Sequence, residues 1–476
     1  MTTSASPEGP EKATLSIPLS KQQRNFIVKL TFLIAGGMFI DGFVLGGIGV
    51  VMPAITRDLD LSLSWQGLIG ASALIGMFIG APLGGFLADK IGRRPMFTID
   101  LAIFLVGSCA QFFVADAWQL FFVRLLMGVA IGADYAIGWP MLAEFAPARI
   151  RGKLLSISEV AWFVGYLVSY ALGYVLTISR VANWEFILAL SAIPTVIVIL
   201  MRLGTPESPR WLMSKGRTSE AEDIAARYMD EEGQRDLRVP GVRCKQGFGP
   251  LFSRDYIKAT VFISVFWFCA VTPYFAIGTF APVVLQLLGL EDGLTGGLAL
   301  NIMPVLACIF TAVYVERVGR RTLAIIPFWI STISLLILAL FSHQSPMLIV
   351  ACVLSFSFMI AVSGTLTGVY SSEVFPTEIR GAGVGFATAM SRIGAAAGTF
   401  LLPMSVGLLG APTTLLIAAA ISLIGGIVAQ VLAPETMAKP LSQTSANSLG
   451  AKSSRDLHPA PVSNCDTSTQ TTEVHG

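Results

Sequence analysis

Charged side chains are scarce in this chain. They make up 13% of its 476 residues, whereas hydrophobic residues make up 54%. A soluble globular protein carries about 25% charged residues, so this composition excludes an ordinary aqueous protein. The formal net charge of +2 is close to neutral, and no nucleic acid partner is therefore expected.

Histidine and cysteine also give no sign of a reactive centre. The chain has three His and six Cys. The cysteines, at positions 109, 244, 269, 308, 352 and 465, form neither a CxxC pair nor a disulfide-like framework. Four of them fall in apolar stretches, where cysteine acts as a small hydrophobic residue. We therefore expect no metal and no cofactor.

Long apolar stretches dominate the chain instead. About 20 apolar residues suffice to cross a bilayer as a helix. Twelve stretches reach that length, at about 28–52, 67–88, 95–115, 118–145, 154–178, 184–203, 257–288, 294–315, 322–342, 346–371, 380–408 and 411–432. The sequence thus predicts an all-α polytopic membrane protein. The first stretch is too long for the core of a signal peptide, so we interpret it as a spanning helix.

Polar segments divide the chain into five parts. They are an N-terminal tail (1–27), six spans (28–203), a polar linker (204–256), six further spans (257–432) and a C-terminal tail (433–476). The C-terminal tail is rich in Ser, Thr, Ala and Pro and is expected to be disordered. The positive-inside rule places both termini and the linker in the cytosol. With this orientation, the loops on the outer side contain only two of the 32 Lys and Arg residues, Arg57 and Arg180.

The two sets of six spans carry an internal repeat. DKIGRR (89–94) recurs as ERVGRR (316–321), and EFAPARIRG (144–152) recurs as EVFPTEIRG (373–381). PES (206–208) lies just after the first set of six spans, and PET (434–436) lies just after the second set. Parallel repeats of this kind place a substrate site near the bilayer midplane, between the two halves.

These motifs resemble the major facilitator superfamily over residues ~25–440. GGFLADKIGRR (84–94) is similar to the signature loop between its second and third helices. PESPRWLMSKGR (206–217) and RLLMGVAIGADY (124–135) resemble its sugar-porter and metabolite-symporter branch. The resemblance implies twelve transmembrane helices in two six-helix bundles, alternating access and a monomer.

The resemblance also implies a charge network that holds the bundles together on the cytosolic side. In the superfamily the signature-loop acid, here Asp89, closes this side when the substrate site faces outward. The other implied members are Arg93, Arg94, Glu144 and Arg151 in the first half and Glu316, Arg320, Arg321, Glu373 and Arg380 in the second. The alternative is that these residues only anchor loops under the positive-inside rule. Ion pairs worth about 0–1 kcal/mol would suit reversible gating.

Ionisable residues inside a span are costly and indicate function. Five stand out: Asp41, Arg124, Asp134, Glu159 and Arg392. Asp41 lies near the middle of the first span, and we predict that it binds the coupled proton, because a buried carboxyl can load and release a proton near neutral pH. The alternative for Asp41 is a permanently protonated or hydrogen-bonded packing residue. Arg124, Asp134 and Glu159 complete the predicted proton-coupling set.

Several of these residues lie in motifs of known carriers. DGFVLGGIG (41–49) resembles the DGFD or DGYD motif of aromatic-acid:proton symporters, with Val44 in the place of the second Asp. Arg124 matches the fourth-helix Arg of sugar porters, which lies opposite the first-helix acid; a structural counter-ion is the alternative. GADY, which contains Asp134, resembles the helices of phosphate carriers; a cap on a helix–helix contact is the alternative role for Asp134.

Arg392, in SRIG, resembles the eleventh-helix Arg of organic-anion and aromatic-acid carriers. A buried guanidinium needs a partner, and a substrate carboxylate could supply a bidentate one. The alternative is an internal pair with Glu159 or Asp41.

The sugar-binding amides of sugar porters are not kept. Glu159 stands six residues before Gly165, where those porters have Gln, and Cys269 and Ala270 stand where they have a Gln pair. Aromatic residues are available in place of the amides, namely Trp162, Tyr166, Tyr274, Phe275 and Tyr370. Together with Arg392 they predict a site for a small organic anion with an apolar body.

The sequence therefore predicts a proton-coupled importer of a small organic or aromatic carboxylate. A proton-driven antiporter that exports a drug or metabolite and a sugar-type porter stay open as alternatives, whereas an enzyme or a receptor is disfavoured. The expected partners are the substrate, protons and the lipid bilayer. Short loops without an Asn-x-Ser/Thr site and an Ala- and Gly-rich chain favour a bacterial inner membrane.

Overall fold

The structure is a computed structural model that describes residues 20–202, 204–238, 249–254, 256–288, 293–341, 346–375 and 380–436. Within these ranges the regular structure is entirely helical, with sixteen α-helices and two 3₁₀ turns at Gln111–Phe113 and Gly249–Phe252. The predicted disordered tail beyond Thr436 lies outside the described residues.

The first half of the chain forms six spans. Polar side chains cap the start of four of them; for example, the Ser20 hydroxyl accepts the N–H of Gln23, and the Asp116 carboxylate accepts the N–H of Gln119. Such caps satisfy amides that no helical carbonyl reaches. The helices are α1 (Lys21–Asp58), α2 (Leu63–Ile91), α3 (Arg93–Ala110), α4 (Ala117–Phe145), α5 (Ala148–Ser179), α6 (Trp184–Ala189) and α7 (Ala192–Arg202).

The sixth span consists of α6 and α7 together, Trp184–Arg202. The helix breaks at Leu190 and Ser191. A hydrogen bond of 2.7 Å between the hydroxyls of Ser108 and Ser191 holds this break against α3.

Three short helices follow the sixth span: α8 (Pro209–Ser214), α9 (Thr218–Tyr228) and α10 (Glu231–Arg238). They form the described part of the predicted linker and mark one end of the molecule, which we call the linker side; the opposite end is the far side. The Gln23 side chain donates to the carbonyl of Met229 at 2.6 Å and attaches the linker to the start of α1.

The second half repeats the pattern, and its last helix carries two spans. Its helices are α11 (Ile257–Thr279), α12 (Ala281–Leu287), α13 (Gly293–Val318), α14 (Arg320–Phe341), α15 (Pro346–Val374) and α16 (Arg380–Leu432). Gly410, with φ 81° and ψ 162°, interrupts α16, a conformation that glycine adopts without strain. The described residues contain 11 helical segments able to cross a membrane. Because α16 crosses twice, the predicted twelve passes are confirmed.

Glycines allow the helices of the first bundle to approach closely. Gly42 on α1 lies against the main chain of α5 at Trp162, and Gly80 on α2 lies against the main chain of α4 at Val129. A Cβ at either glycine would collide with a carbonyl oxygen. Small residues at such contacts are typical of membrane helices, because lipid is as apolar as a leucine side chain and close packing must hold the helices together.

The two bundles are in contact on the far side. Gly67 on α2 lies against the main chain of Phe400 on α16, without room for a Cβ between them. The hydroxyls of Tyr174 on α5 and Thr295 on α13 hydrogen bond at 2.6 Å. These contacts bring the first and second halves together at the far ends of their helices.

Candidate functional site

Asp41 is a fully buried carboxyl in the middle of α1. Its side chain is 0% exposed, and neither carboxylate oxygen has a hydrogen-bond partner among the described residues. Its electrostatic neighbours are Arg392 on α16 and two further acids, Asp100 and Asp134. The absence of a hydrogen bond argues against the alternative of a hydrogen-bonded packing residue.

Arg392 reaches from the second bundle toward the first. Its guanidinium carbon lies 5.3 Å from the centre of the Tyr135 ring on α4. It interacts electrostatically with Asp41 and with Glu159 on α5. Arg392 forms no salt bridge with any residue of the described ranges. The alternative of an internal ion pair with Glu159 or Asp41 is therefore not observed among these residues. Tyr135 was not predicted; its position directly after Asp134 in GADY was the available signal.

Four of the predicted aromatic residues come together beside these charges. Trp162 on α5 lies 5.7 Å from Tyr166 and 6.1 Å from Phe275 on α11, between ring centres. Tyr274 packs against Phe275 at 5.3 Å. The Trp162 indole N–H and the Tyr274 hydroxyl are buried and have no hydrogen-bond partner in the described part of the chain. We call these four aromatics, with Asp41, Tyr135, Glu159 and Arg392, the central site.

Tyr370 lies apart from the central site. Its ring packs against Phe262 and Phe266 at 5.3 and 5.9 Å, and its hydroxyl donates to the carbonyl of Pro434 at 3.1 Å. These partners all belong to the second half of the chain. The contacts give Tyr370 a packing position inside the second bundle, so we leave it out of the proposed substrate site.

Arg124 is buried beside the central site, and no acidic side chain of the described residues forms an ion pair with it. Its side chain is 1% exposed, and its Nη2 donates to the main-chain carbonyl of Val44 at 3.5 Å. Tyr166 is its electrostatic neighbour. The predicted position opposite α1 is therefore observed, but Arg124 contacts the residue that replaces an acid rather than Asp41.

Asp134 faces a different group of residues from Asp41. Its neighbours are Asp100 on α3 and Arg202 at the end of α7, neither of which was predicted. Both are ionisable residues inside predicted spans, so the signal that identified the other five was present at these two positions as well.

An ion pair and a hydrogen bond converge on Glu144 at the linker side. Arg93 Nη2 lies 2.8 Å from Glu144 Oε1, and the Ser208 hydroxyl donates to Oε2. Arg93 and Glu144, two members of the predicted charge network, are thus brought together within the first half of the chain.

Two glutamates missed by the sequence analysis cap the helices that follow the repeated GRR motifs. Glu207, in PES, accepts the main-chain N–H groups of Arg93 and Arg94 at 3.1 Å each. Glu435, in PET, accepts those of Arg320 and Arg321, also at 3.1 Å. A carboxylate at a helix N-terminus satisfies free amides and interacts favourably with the helix dipole. The pairing of PES with PET at equal offsets was the signal for this role.

Five further members of the predicted charge network cannot be placed, whereas Arg320 and Arg321 can. The side chains of Asp89, Arg151, Glu316, Glu373 and Arg380 lie outside the described part of the structure, so their gating roles stay predictions. Arg321 donates from Nη2 to the carbonyl of Gln430 at 3.1 Å, and Arg320 donates to that of Val315 at 3.2 Å.

The known proteins that this chain resembles in sequence are transporters. A family model described as "Sugar (and other) transporter" matches residues 22–447. The inner membrane metabolite transport protein YgcS of Escherichia coli is 38% identical over 425 residues, which cover 89% of this chain and 94% of YgcS. The putative metabolite transport protein YaaU of the same organism is 36% identical over 414 residues, covering 86% and 93%.

The fold also matches a solved transporter. The proton:xylose symporter XylE, a major facilitator superfamily structure bound to 6-bromo-6-deoxy-D-glucose, aligns with a TM-score of 0.72. The alignment has 24% identity and covers 89% of this chain and 99% of XylE. At this identity the likeness concerns the fold, and it confirms the predicted major facilitator architecture.

Proposed function

This chain belongs to the sugar (and other) transporter family, and from that premise we propose that it imports a small organic carboxylate together with protons. As a member of that family it is a multi-pass membrane transporter and not an enzyme. The substrate class, the coupling ion and the direction are our proposal, and they rest on the residues of the central site.

The observation that carries the proposal is the environment of Arg392. Its guanidinium lies over Tyr135 and forms no salt bridge with a described residue. Arginine presents a planar set of N–H donors that matches a carboxylate in a bidentate geometry. We therefore propose that Arg392 binds the substrate carboxylate at the face that Tyr135 leaves free.

The four aromatic residues of the central site would bind the apolar part of the substrate. Trp162 and Phe275 come from different bundles and pack edge to face with 6.1 Å between ring centres, so an apolar ligand body that rests against both rings would contact both halves of the transporter. The Trp162 N–H and the Tyr274 hydroxyl, which lack partners in the described ranges, would donate to polar groups of the substrate. Such a pocket suits a small aromatic or short-chain acid.

Asp41 is the proposed site of the coupled proton. An ionised carboxylate without a partner is costly to bury, whereas a protonated one is much less so. Loading and release of a proton at Asp41 would therefore change the electrostatic balance with Arg392, and with it the binding of an anionic substrate. Glu159, which also neighbours Arg392, would contribute to the same balance.

The direction of transport follows from the proposed orientation together with an inward proton gradient. We propose that the linker side faces the cytosol of a bacterial inner membrane, as the distribution of Lys and Arg predicts. The far-side contacts at Gly67 and Tyr174 then close the site toward the outside. Rocking of the bundles would open that side and close the linker side, with the protein acting as a monomer.

A sugar-type porter is the second candidate, since the family description itself includes sugars. Against it stand Cys269 and Ala270 at the positions of a Gln pair in sugar porters. Neither residue can donate and accept hydrogen bonds as an amide does.

Uptake into liposomes by the purified full-length protein tests these candidates. The labelled probes are benzoate, nicotinate, D-xylose and the cation tetraphenylphosphonium, with and without an inward proton gradient. Each is measured as the difference from protein-free liposomes, because benzoic acid and tetraphenylphosphonium cross lipid unaided. We expect gradient-driven uptake of a carboxylate, its loss in Arg392→Gln, and no change in Arg217→Gln, which removes an exposed linker arginine. Uptake of xylose alone, or export of the cation, would overturn the carboxylate proposal.

A further inference from the structure

A second group of buried charges lies outside the central site. It consists of Asp100 on α3, Asp134 on α4 and Arg202 on α7, whose residues are 1%, 3% and 7% exposed. Gly37 on α1 packs directly against it, because a Cβ at Gly37 would lie 2.7 Å from Oδ2 of Asp134. Four helices of the first bundle thus converge on two carboxyls and one guanidinium.

The carboxyls of Asp100 and Asp134, which we call the carboxyl pair, lie within hydrogen-bonding distance of each other. Two ionised carboxylates have no proton to share and repel, so this contact is stable only if one of them holds a proton. Asp100 Oδ1 accepts the N–H of Leu101 at 2.6 Å, whereas its Oδ2 has no partner in the described ranges. A proton held between the two carboxyls would give Oδ2 of Asp100 a hydrogen bond.

Arg202 supplies the positive charge beside the carboxyl pair. Its guanidinium lies over the Phe97 ring, 2.8 Å from the ring centre, and Nη1 donates to the Phe97 carbonyl at 3.2 Å. Its Nε and Nη2 are buried without a partner among the described atoms, although it interacts electrostatically with both carboxyls. One proton on the pair makes the group neutral overall, and a neutral group is the least costly to bury.

The carboxyl pair is adjacent to Asp41 on the linker side. Gly37, which contacts Asp134, precedes Asp41 by one helical turn, or about 6 Å along the axis of α1. Asp41 interacts electrostatically with both members of the pair. The two sites are therefore near enough to compete for one proton.

We propose that Asp100 and Asp134 form a second proton site, balanced by Arg202, through which the coupled proton passes between Asp41 and the linker side. The proposal rests on the proposed proton coupling of transport. A proton on the pair removes a negative charge that opposes ionisation of Asp41, so the proton moves between the two sites instead of loading both.

The charged and titratable groups that face the pair come from each packed helix. They are Asp41 on α1, Tyr135 on α4 and Arg202 on α7, with Glu207 beyond Arg202. Tyr135 is the next residue after Asp134 and contacts Arg392. A change of charge on the carboxyl pair can therefore act on Arg392, the proposed carboxylate-binding residue, through Tyr135. On the other side, Glu207 neighbours Arg202 and caps the start of α3.

Infrared difference spectroscopy on the full-length protein in detergent tests the proposal without a substrate. Acid-minus-alkaline spectra report the C=O stretch of protonated carboxyls. We expect Asp100→Asn and Asp134→Asn to remove the same band, the double variant to remove no more, and Asp100→Glu to keep a shifted band. Asp41→Asn should remove a different band. Ser108→Ala, another buried polar change on α3, should leave the carboxyl bands intact.

Transport assays provide the second measurement, with the carboxylate probe that the wild type accumulates. In Asp100→Asn we expect accumulation driven by a proton gradient to fall about tenfold while substrate exchange across the membrane stays within about twofold, a coupling defect of ordinary size. If Asp100→Asn fails to fold, Asp134→Asn gives the same comparison.

Carboxyl bands unchanged in both single variants would overturn the second proton site, even if Asp41→Asn removes its own band. Loss of accumulation and exchange together, with unchanged bands, would likewise reduce the pair to a structural role. Failure of the carboxylate-symport proposal is separable, because it would show as absent carboxylate uptake in the wild type.

Discussion

The guanidinium of Arg392 and the ring of Tyr135 lie 5.3 Å apart across the boundary between the two bundles. Arg392 belongs to α16 and Tyr135 to α4, so any movement of one bundle against the other changes this contact. A substrate carboxylate bound to Arg392 would therefore lie at a position that responds to the transport cycle.

Replacing Tyr135 tests whether this contact positions Arg392. Tyr135→Leu removes the aromatic face, and we expect the KM for the carboxylate substrate to rise by about 3- to 30-fold, as loss of a cation–π interaction of about 0.5–2 kcal/mol would give. Tyr135→Phe keeps the face and should stay within about twofold of the wild type. Equal KM values for both variants in liposome uptake would contradict this role.

The two helix caps should stabilise the protein to a similar degree. In Glu207→Gln and Glu435→Gln the side chain loses its charge beside two N–H groups. We expect each change to cost about 1 kcal/mol and to lower the thermal unfolding midpoint in detergent. Glu220→Gln, at an exposed linker position, is the matched control. Midpoints for Glu207→Gln and Glu435→Gln that equal the control would argue against the capping role.

Close helix packing predicts opposite effects for two Gly→Ala changes. At Gly80 a Cβ would meet the main chain at Val129, whereas at Gly364 on α15 no atom lies within 4 Å of it. We expect Gly80→Ala to destabilise by about 1–3 kcal/mol and Gly364→Ala to be neutral or stabilising by up to about 1 kcal/mol. Unfolding in detergent measures both, and a stable Gly80→Ala protein would show that α2 and α4 can separate at little cost.

The far-side contact between the bundles predicts a way to stop the cycle. Gly67→Trp places an indole where Phe400 now approaches the main chain, so the far side should stay open. We expect this variant to bind the substrate but to lose both uptake and exchange. Tyr174→Phe removes only the hydrogen bond to Thr295 and should keep transport. Exchange at the wild-type rate in Gly67→Trp would mean that these contacts are not part of gating.

The fold could be predicted well because spanning helices leave a strong signal in the sequence. Apolar length identified the spans, and the repeated GRR and IRG motifs fixed their division into two sets. The boundary between the last two spans was predicted as well, since the predicted spans 380–408 and 411–432 meet at Gly410, where a positive φ interrupts α16. Gly410 belongs to the stretch Gly-Ala-Pro (410–412), and glycine and proline both interrupt helices.

The site was predicted in part. Asp41 and Arg392 stand out because a charge inside a span is conspicuous, whereas Tyr370 is proposed by residue type alone and packs inside the second bundle. Aromatic residues serve equally in cores and in binding sites, so spacing along a helix cannot distinguish them. Asp100 and Arg202 carry the same signal, an ionisable side chain inside a span, but their convergence with Asp134 depends on the packing of α3, α4 and α7, which no local pattern encodes.

The most direct test of the account is carboxylate accumulation in liposomes that contain wild type or Asp41→Asn, measured with an imposed proton gradient and again with a protonophore. The account predicts that the wild type accumulates benzoate or nicotinate above the level of protein-free liposomes, and only with the gradient. Asp41→Asn should exchange the same substrate across the membrane but no longer accumulate it. Accumulation by Asp41→Asn at the wild-type level, still abolished by the protonophore, would contradict the assignment of the coupled proton to Asp41.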